Sequence, residues 1–389
     1  MDRTPEAHAT AVAHVVGKRP SETVPALDAA ARGAVLVADV VAQRAQPSFT
    51  NSQMDGYAVD PCHAREAVVG PTIAAGDDPD AAYPDGLGEL AAPIMTGAKL
   101  PRGARAVIPV EACEPGEFVA EGQLVRLPET VEGRFVREAG SDIAAGTVLA
   151  PAGAQVTPAL VGALASQGID EVDVVRAARI IIVTGGAEVT STAHDAGAAT
   201  IPDANGPMLR ALAARHGIEV AQHVRTSDVA DELRAHLSEA IAQHHPDAVV
   251  TSGGISHGKF EVVRQALTDG WYGHVAQQPG GPQGLSTFDG VPVLSLPGNP
   301  ISTLVSFRLY VAPLLGHAPE PVRVALASDV TGLEGRDQFL RGVVVKRKAL
   351  PLGKAGSHLL AQGAQATCLI RVPAGAQLRA GDMATLYPL

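Results

Sequence analysis

Three short apolar runs between residues 177 and 317 each stop at a turn rich in glycine, with helical stretches between them. Arg179–Thr184 (RIIIVT) runs into Gly185-Gly186. Asp247–Thr251 (DAVVT) runs into Ser252-Gly253-Gly254, and Pro292–Leu296 runs into Pro297-Gly298-Asn299-Pro300. Asn205–His216 reads as a helix stopped by Gly217, and Ile218–Val224 as a strand. Ser227 or Asp228 can cap a helix that reaches His245. Strands alternating with helices predict a parallel sheet wrapped by helices, and such sheets hold ligands beyond the C-terminal ends of their strands.

The flanking regions read differently. Residues 4–17 predict a short helix with Val12, Val15 and Val16 on one side. Ala34–Val41 is apolar but shows no clean alternation, so strand and buried helix stay open. Pro47–Gly146 is broken so often by Pro and Gly that short strands and tight turns are expected. Beyond residue 318, Val322–Ala327, Gln338–Val345, Thr367–Val372 and Ala384–Tyr387 read as strands of a small all-β domain. The expected fold class is therefore α/β multidomain. A central parallel α/β domain (177–317) follows a mosaic, β-rich N-terminal region (1–176, in two interleaved parts with 47–146 as a β-rich subdomain). A β-rich C-terminal domain (318–389) completes it.

Composition narrows the function. The net charge of −11 disfavours nonspecific nucleic-acid and anionic-membrane binding, which need basic surface. A small anion can still be held locally by backbone N–H groups. Cys62, Cys113 and Cys368 have no metal-type spacing and read as reduced thiols. The N-terminus lacks a signal-peptide pattern, and the longest apolar stretch, Ile301–Leu315, is interrupted by Ser302, Thr303, Ser306 and Arg308. A cytoplasmic location is expected.

Six segments can carry chemistry. Asn51-Ser52-Gln53-Met54-Asp55-Gly56 reads as a turn or as a polar loop. Ile94-Met95-Thr96-Gly97 and Gly140-Ser141-Asp142 are common turn types. Thr184-Gly185-Gly186-Ala187-Glu188 suits a phosphate or metal loop as well as a turn. In Ser252-Gly253-Gly254-Ile255-Ser256 the paired glycines let backbone amides approach an anion, and Ser256 adds a hydroxyl donor. The segment lacks the Lys-Ser/Thr ending of a P-loop. In Pro297-Gly298-Asn299-Pro300, Asn299 suits the N-cap and Pro300 the first helical position, with or without a ligand.

In order, SQMDGYAV, IMTGAKLP, AGSDIAAG, VTGGAEV, DANGPML, TSGGISHG, QQPGGPQG and LPGNPIST resemble the molybdopterin molybdenumtransferase family (MoeA, and the E domain of gephyrin) over nearly the whole chain. The resemblance implies an elongated homodimer whose cleft uses both subunits. It implies a reaction in which molybdate enters adenylylated molybdopterin, Mg²⁺ assists, and AMP is released. Asp55, Thr96, Asp142, Glu188 and Asp228 would be catalytic, with Asp142, Glu188 and Asp228 as metal ligands. Ser52, Gly253, Gly254, Ser256, Lys259, Pro297, Gly298, Asn299 and Pro300 would bind substrate. A molybdopterin adenylyltransferase and molybdoenzyme delivery proteins are the implied partners.

The chain departs from the family pattern at several points. TGGAEV replaces the usual TGDEL, Lys259 and Glu261 follow the Gly-Gly loop, Gly281 stands where a lysine is common, Pro93 replaces an arginine, and Arg105 replaces an aspartate. A lysine lost at an anion site removes a charge-assisted bond of roughly 1.5–3 kcal/mol, and Lys259 is expected to restore part of it. The departures leave as the main alternative a paralogue that binds molybdopterin as a carrier or scaffold without turnover, and as a further one a related pterin or nucleotide enzyme with another substrate, such as a tungstate-using variant.

Overall fold

The computed structural model of the chain describes every residue except 1, 32, 61–62, 187–188, 191–196, 227–228, 256–260 and 354–355. The chain divides into two compact units. One comprises residues 1–35, 155–157 and 171–389, and the other 36–154 and 158–170.

The first unit begins with α1 (Pro5–Val16). The Thr4 hydroxyl accepts from the Ala7 N–H, Pro5 sits where no amide is needed, and Gly17 ends the helix at φ 70°. Its Val12 joins a buried cluster against the central sheet. That sheet contains β1 (Arg179–Gly185), β2 (Glu219–Thr226), β3 (Ala248–Ser252), β4 (Gly270–His274), β5 (Pro282–Phe288) and β6 (Val291–Leu296), in the order β2-β1-β3-β6-β5-β4. The pairs β1–β2, β1–β3 and β3–β6 are parallel. Between them run α2 (Asn205–Arg215) and α3 (Ala230–His244).

The apolar run of β1 is continuous because both faces are covered. Ile180 and Ile182 pack with Leu209 and Leu212 of α2 and with Phe307. Ile181 and Val183 pack with Leu233, Leu237 and Ile241 of α3. Each such side chain, taken fully from water, contributes roughly 1.5–3 kcal/mol.

The sheet is not wholly parallel. β5 runs antiparallel beside β6, and β4 runs antiparallel beside β5 at the edge. The reason is the two-residue turn Asp289-Gly290, with φ of 48° and 78°. Positive φ at both positions matches the twist of a hairpin and returns the chain beside itself. The strongly apolar stretch after Pro300 is helical and buried. It starts as α4 (Pro300–Ser306), continues through a π-helical turn (Phe307–Val311) and ends as Ala312–Leu315. Among the described residues no helix is long and apolar enough to cross a membrane.

The C-terminal strands are β7 (Val322–Leu326), β8 (Asp337–Val345), β9 (Lys348–Pro351), β10 (Cys368–Val372) and β11 (Met383–Pro388). They run β8-β9-β7-β11-β10, and β10 pairs again with β8, so the sheet closes on itself. Closure leaves few free edges. Gln277–Gln278, between β4 and β5, adds to β8 in parallel and ties this barrel to the central domain.

The second unit is built from short pairs. Gly56–Val59 lies between Ala92–Ile94 and Ala106–Pro109, and Arg65–Val68 pairs with Leu124–Leu127. Alternation is legible here: Tyr57 and Val59 enter one buried cluster and Ala58 the other. Gly56 is required by crowding, since a Cβ there would sit 2.0 Å from the Ile108 carbonyl oxygen. Residues 34–41, left open by their pattern, form neither a helix nor a long strand. Val35 makes a single antiparallel bridge with Gln155, and Val40–Val41 pairs with Val148–Ala150.

Candidate functional site

A cleft of about 1020 Å³ opens in the first unit at the C-terminal ends of β1, β3 and β6. Thr184–Gly186, Ser252–Ile255 and Pro297–Pro300 form its floor. His274–Pro282 forms one wall, and Glu334–Arg336 with Ser357 reaches in from the barrel. The expected position beyond the strand ends is the observed one.

Two of its loops meet backbone to backbone. A Cβ on Gly298 would lie 3.2 Å from Gly253 Cα. The Gly253 N–H donates to the Leu296 carbonyl at 3.0 Å. Below them, the buried Thr303 hydroxyl donates to the Pro297 carbonyl at 2.7 Å and lies 2.9 Å from the Ser252 hydroxyl. Asn205 closes the arrangement from α2, its Nδ2 donating to the Gly298 carbonyl at 2.7 Å. With Gly253 at φ 93° and Gly254 at φ 68°, the turn leaves little side-chain bulk in front of its amides. Asn299 takes the N-cap position, with Pro300 in the first turn, but its side chain makes no cap bond. It donates instead to the Ser357 hydroxyl at 3.1 Å, tying the loop to the barrel.

The charge around this cleft is unusual for an anion site. Its described lining includes the carboxylates of Asp2, Asp203, Glu261 and Glu334, and among the described residues Arg336 is its guanidinium and no lysine contributes. The floor is otherwise neutral: Gln283 Nε2 donates to the Gly280 carbonyl at 2.8 Å and to the Ser306 hydroxyl at 2.6 Å, beneath Gly280 and Gly281. Glu188, Asp228, Ser256 and Lys259 lie outside the described residues. The recruitment of Ser357 and Arg336 from the barrel had no signature in the sequence, because both are ordinary polar residues near turns.

In the second unit, Asp55 and Thr96 are brought together across 41 residues of chain. Asp55 Oδ1 accepts from the Thr96 N–H and from the Thr96 hydroxyl, both at 2.7 Å. The hydroxyl bond and then the amide bond hold this exposed carboxyl below its ordinary range, against a small opposing effect of burial. The sign follows. The folded pKa is depressed, so the two bonds contribute above the unfolded pKa and are lost as pH falls through the folded one. A carbon-13 titration of Asp55 is expected to give a midpoint below that of an unstructured peptide, and Thr96→Val to move it up toward the peptide value. An unmoved midpoint in that variant would mean the pair does not persist in solution.

Ser52 is fully buried, and its hydroxyl closes its own turn, donating to the Met54 carbonyl at 2.6 Å and accepting from the Met54 N–H at 3.2 Å. Asp142 is exposed on a turn whose backbone N–H bonds the Gln46 carbonyl at 3.0 Å. Among the described residues no three His, Cys, Asp or Glu side chains gather as metal ligands do.

Comparison with known proteins agrees with this architecture along the whole chain. Residues 3–168 match the MoeA N-terminal region (domain I and II), residues 180–317 a probable molybdopterin binding domain, and residues 323–389 the MoeA C-terminal region (domain IV). Molybdopterin molybdenumtransferase 2 of Mycobacterium tuberculosis is 33% identical, covering 98% of this chain and 100% of that protein. Molybdopterin molybdenumtransferase 1 of the same organism is 31% identical over 91% of this chain and 92% of its own length. The crystal structure of a molybdopterin biosynthesis MoeA protein from Pyrococcus horikosii superposes with a TM-score of 0.79 at 26% identity, covering 100% of this chain and 99% of that one. Likeness to proteins named as transferases gives the carrier alternative no support. The chain therefore belongs to the MoeA family of molybdopterin molybdenumtransferases.

Proposed function

We propose that this protein inserts molybdate into adenylylated molybdopterin and releases AMP, giving molybdenum cofactor. The observation that carries the reading is the contact of two glycine loops, Gly253-Gly254 and Pro297–Pro300, at the ends of adjacent parallel strands in the large cleft. Backbone N–H groups in such loops suit the phosphate of a pterin substrate. Arg336 brings positive charge to the same cleft for a second, incoming oxyanion. Ser302, buried in the first turn of α4, and Ser357 on the barrel line it as neutral hydroxyls. Held side by side, the two substrates react by proximity and charge stabilisation, with no covalent enzyme intermediate required.

Magnesium belongs to this proposal through carboxylate chemistry alone. Hard oxygen donors such as Asp142, Glu188 and Asp228 are what it needs. The described residues do not make up its site, so no step here is routed through it. A homodimer, a cytoplasmic location, and exchange with an adenylyltransferase and with molybdoenzyme delivery proteins complete the reading. Molybdate-dependent release of AMP from adenylylated molybdopterin, with magnesium present or removed by chelation, tests it.

A further inference from the structure

Strand β1 ends in a hydrogen-bonded chain that the proposed reaction does not explain. Thr184 Oγ1 lies 2.6 Å from Asp203 Oδ2 and 2.6 Å from His223 Nε2. Thr184 is buried, and the side chains of His223 and Asp203 are 17% and 7% exposed. A hydroxyl carries one proton and can give it to one of these partners. The Asp203 carboxylate can only accept, so Thr184 donates to Asp203 and the second contact must be donated by the ring. His223 therefore carries its hydrogen on Nε2.

The rest of the ring's surroundings agree. Burial holds the imidazole below its ordinary range against the pull of Asp203, and Arg210 on α2 and Arg225 on β2 push the same way as burial. A neutral ring with the hydrogen on Nε2 supplies the single bond the geometry asks for.

The other oxygen of Asp203 accepts from the Gly206 N–H at 2.9 Å, inside the first turn of α2. Gly206 has no room for a side chain, since a Cβ would meet His223 Cε1 at 2.4 Å. Asn205 sits between these two residues, and its Nδ2 reaches the Gly298 carbonyl. Its Oδ1 is buried and has no partner among the described residues. The bond to Gly298 therefore fixes which way the amide faces.

We propose that Asn205 is the positioning residue of the Pro297–Pro300 loop, and that His223, Thr184 and Asp203 form the chain that holds Asn205 in place. The inference rests on the proposed function for the meaning of the loop, a substrate-phosphate cradle. Asn205 does not touch the reacting atoms in this reading. It sets how tightly the pterin nucleotide is held.

The test uses the full-length protein and two readouts. The first is the kinetics of AMP release in wild type, Asn205→Ala, Thr184→Val and Thr184→Ser. Losing one such hydrogen bond is expected to raise KM for adenylylated molybdopterin roughly three- to tenfold in Asn205→Ala, with kcat within about twofold. Thr184→Val should shift KM the same way by a smaller factor, and Thr184→Ser, which keeps the hydroxyl, should restore it. The second readout needs no substrate: amide hydrogen exchange in the peptide spanning residues 297–303. It should be faster in Asn205→Ala and Thr184→Val and unchanged in Thr184→Ser.

An active wild type with unchanged KM and unchanged exchange in Asn205→Ala would overturn the inference. So would a loss confined to kcat, or a Thr184→Ser protein no better than Thr184→Val. An inactive wild type whose loop still exchanges faster in Asn205→Ala would overturn the proposed reaction and leave the positioning role standing.

Discussion

A Gly298→Val protein is expected to bind adenylylated molybdopterin at least about tenfold more weakly than wild type, a change of ~1.4 kcal/mol. Its melting temperature should stay within a few degrees. The cause is local. Gly298 faces Gly253 with backbone against backbone, and even one added carbon would lie 3.2 Å from Gly253 Cα and 3.8 Å from its nitrogen. A branched side chain forces the loops apart and strips Asn205 of its acceptor. Gly298 is exposed at the cleft, outside the buried clusters of the sheet, so the core is spared. Equilibrium binding measured beside a thermal scan separates the two effects. Full affinity in the variant would mean that the loop contact plays no part in holding substrate.

The largest stability effect is expected from Phe307→Ala. Phe307 is fully buried where the helix after Pro300 meets the central sheet, in one cluster with Ile180, Leu209, Leu212 and Leu294. Its ring also lies 6.2 Å from that of His216. Removing a buried phenyl ring costs roughly 3–5 kcal/mol, partly in lost transfer energy and partly in the cavity left behind. For a folding unit of this size that corresponds to a melting transition about 10 °C lower. A shift of a degree or two would mean that the neighbouring helices collapse into the space.

The central sheet was legible because its strands are short apolar runs punctuated by glycine, a pattern that buried parallel strands impose. RIIIVT, DAVVT and the run before Pro297 all became strands. So were four strands of the C-terminal domain, separated by Gly and Pro turns; Lys348–Pro351 and the closure of the sheet were not. Nor were the strand Pro282–Phe288 and the edge strand Gly270–His274 beyond it. Gly270–His274 and Pro282–Phe288 lack an alternating apolar face, and the positive-φ turn at Asp289-Gly290 sets Pro282–Phe288 against Val291–Leu296.

The site was legible in part. The glycine loops can be named from local pattern, because a turn that must admit an anion excludes Cβ atoms. The Asp55–Thr96 pair cannot, since nothing in either segment encodes the other; only the resemblance placed them together. The hydrogen-bonded chain joins Thr184 to two residues, Asp203 and His223, 19 and 39 positions away, and His223 reads as an ordinary strand residue. Such contacts come from the register of β1 against β2, where Ile182 stands beside His223 and Thr184 beside Arg225. No single-segment pattern contains that register.

The described cleft holds more carboxylates than cations, with Gly281 where a lysine is common. The most direct measurement is AMP release from adenylylated molybdopterin by the purified full-length protein, with magnesium, as molybdate is added. Release is expected to rise with molybdate to saturation and to stop when magnesium is chelated. Tight binding of the pterin nucleotide with no release at any molybdate concentration would contradict it.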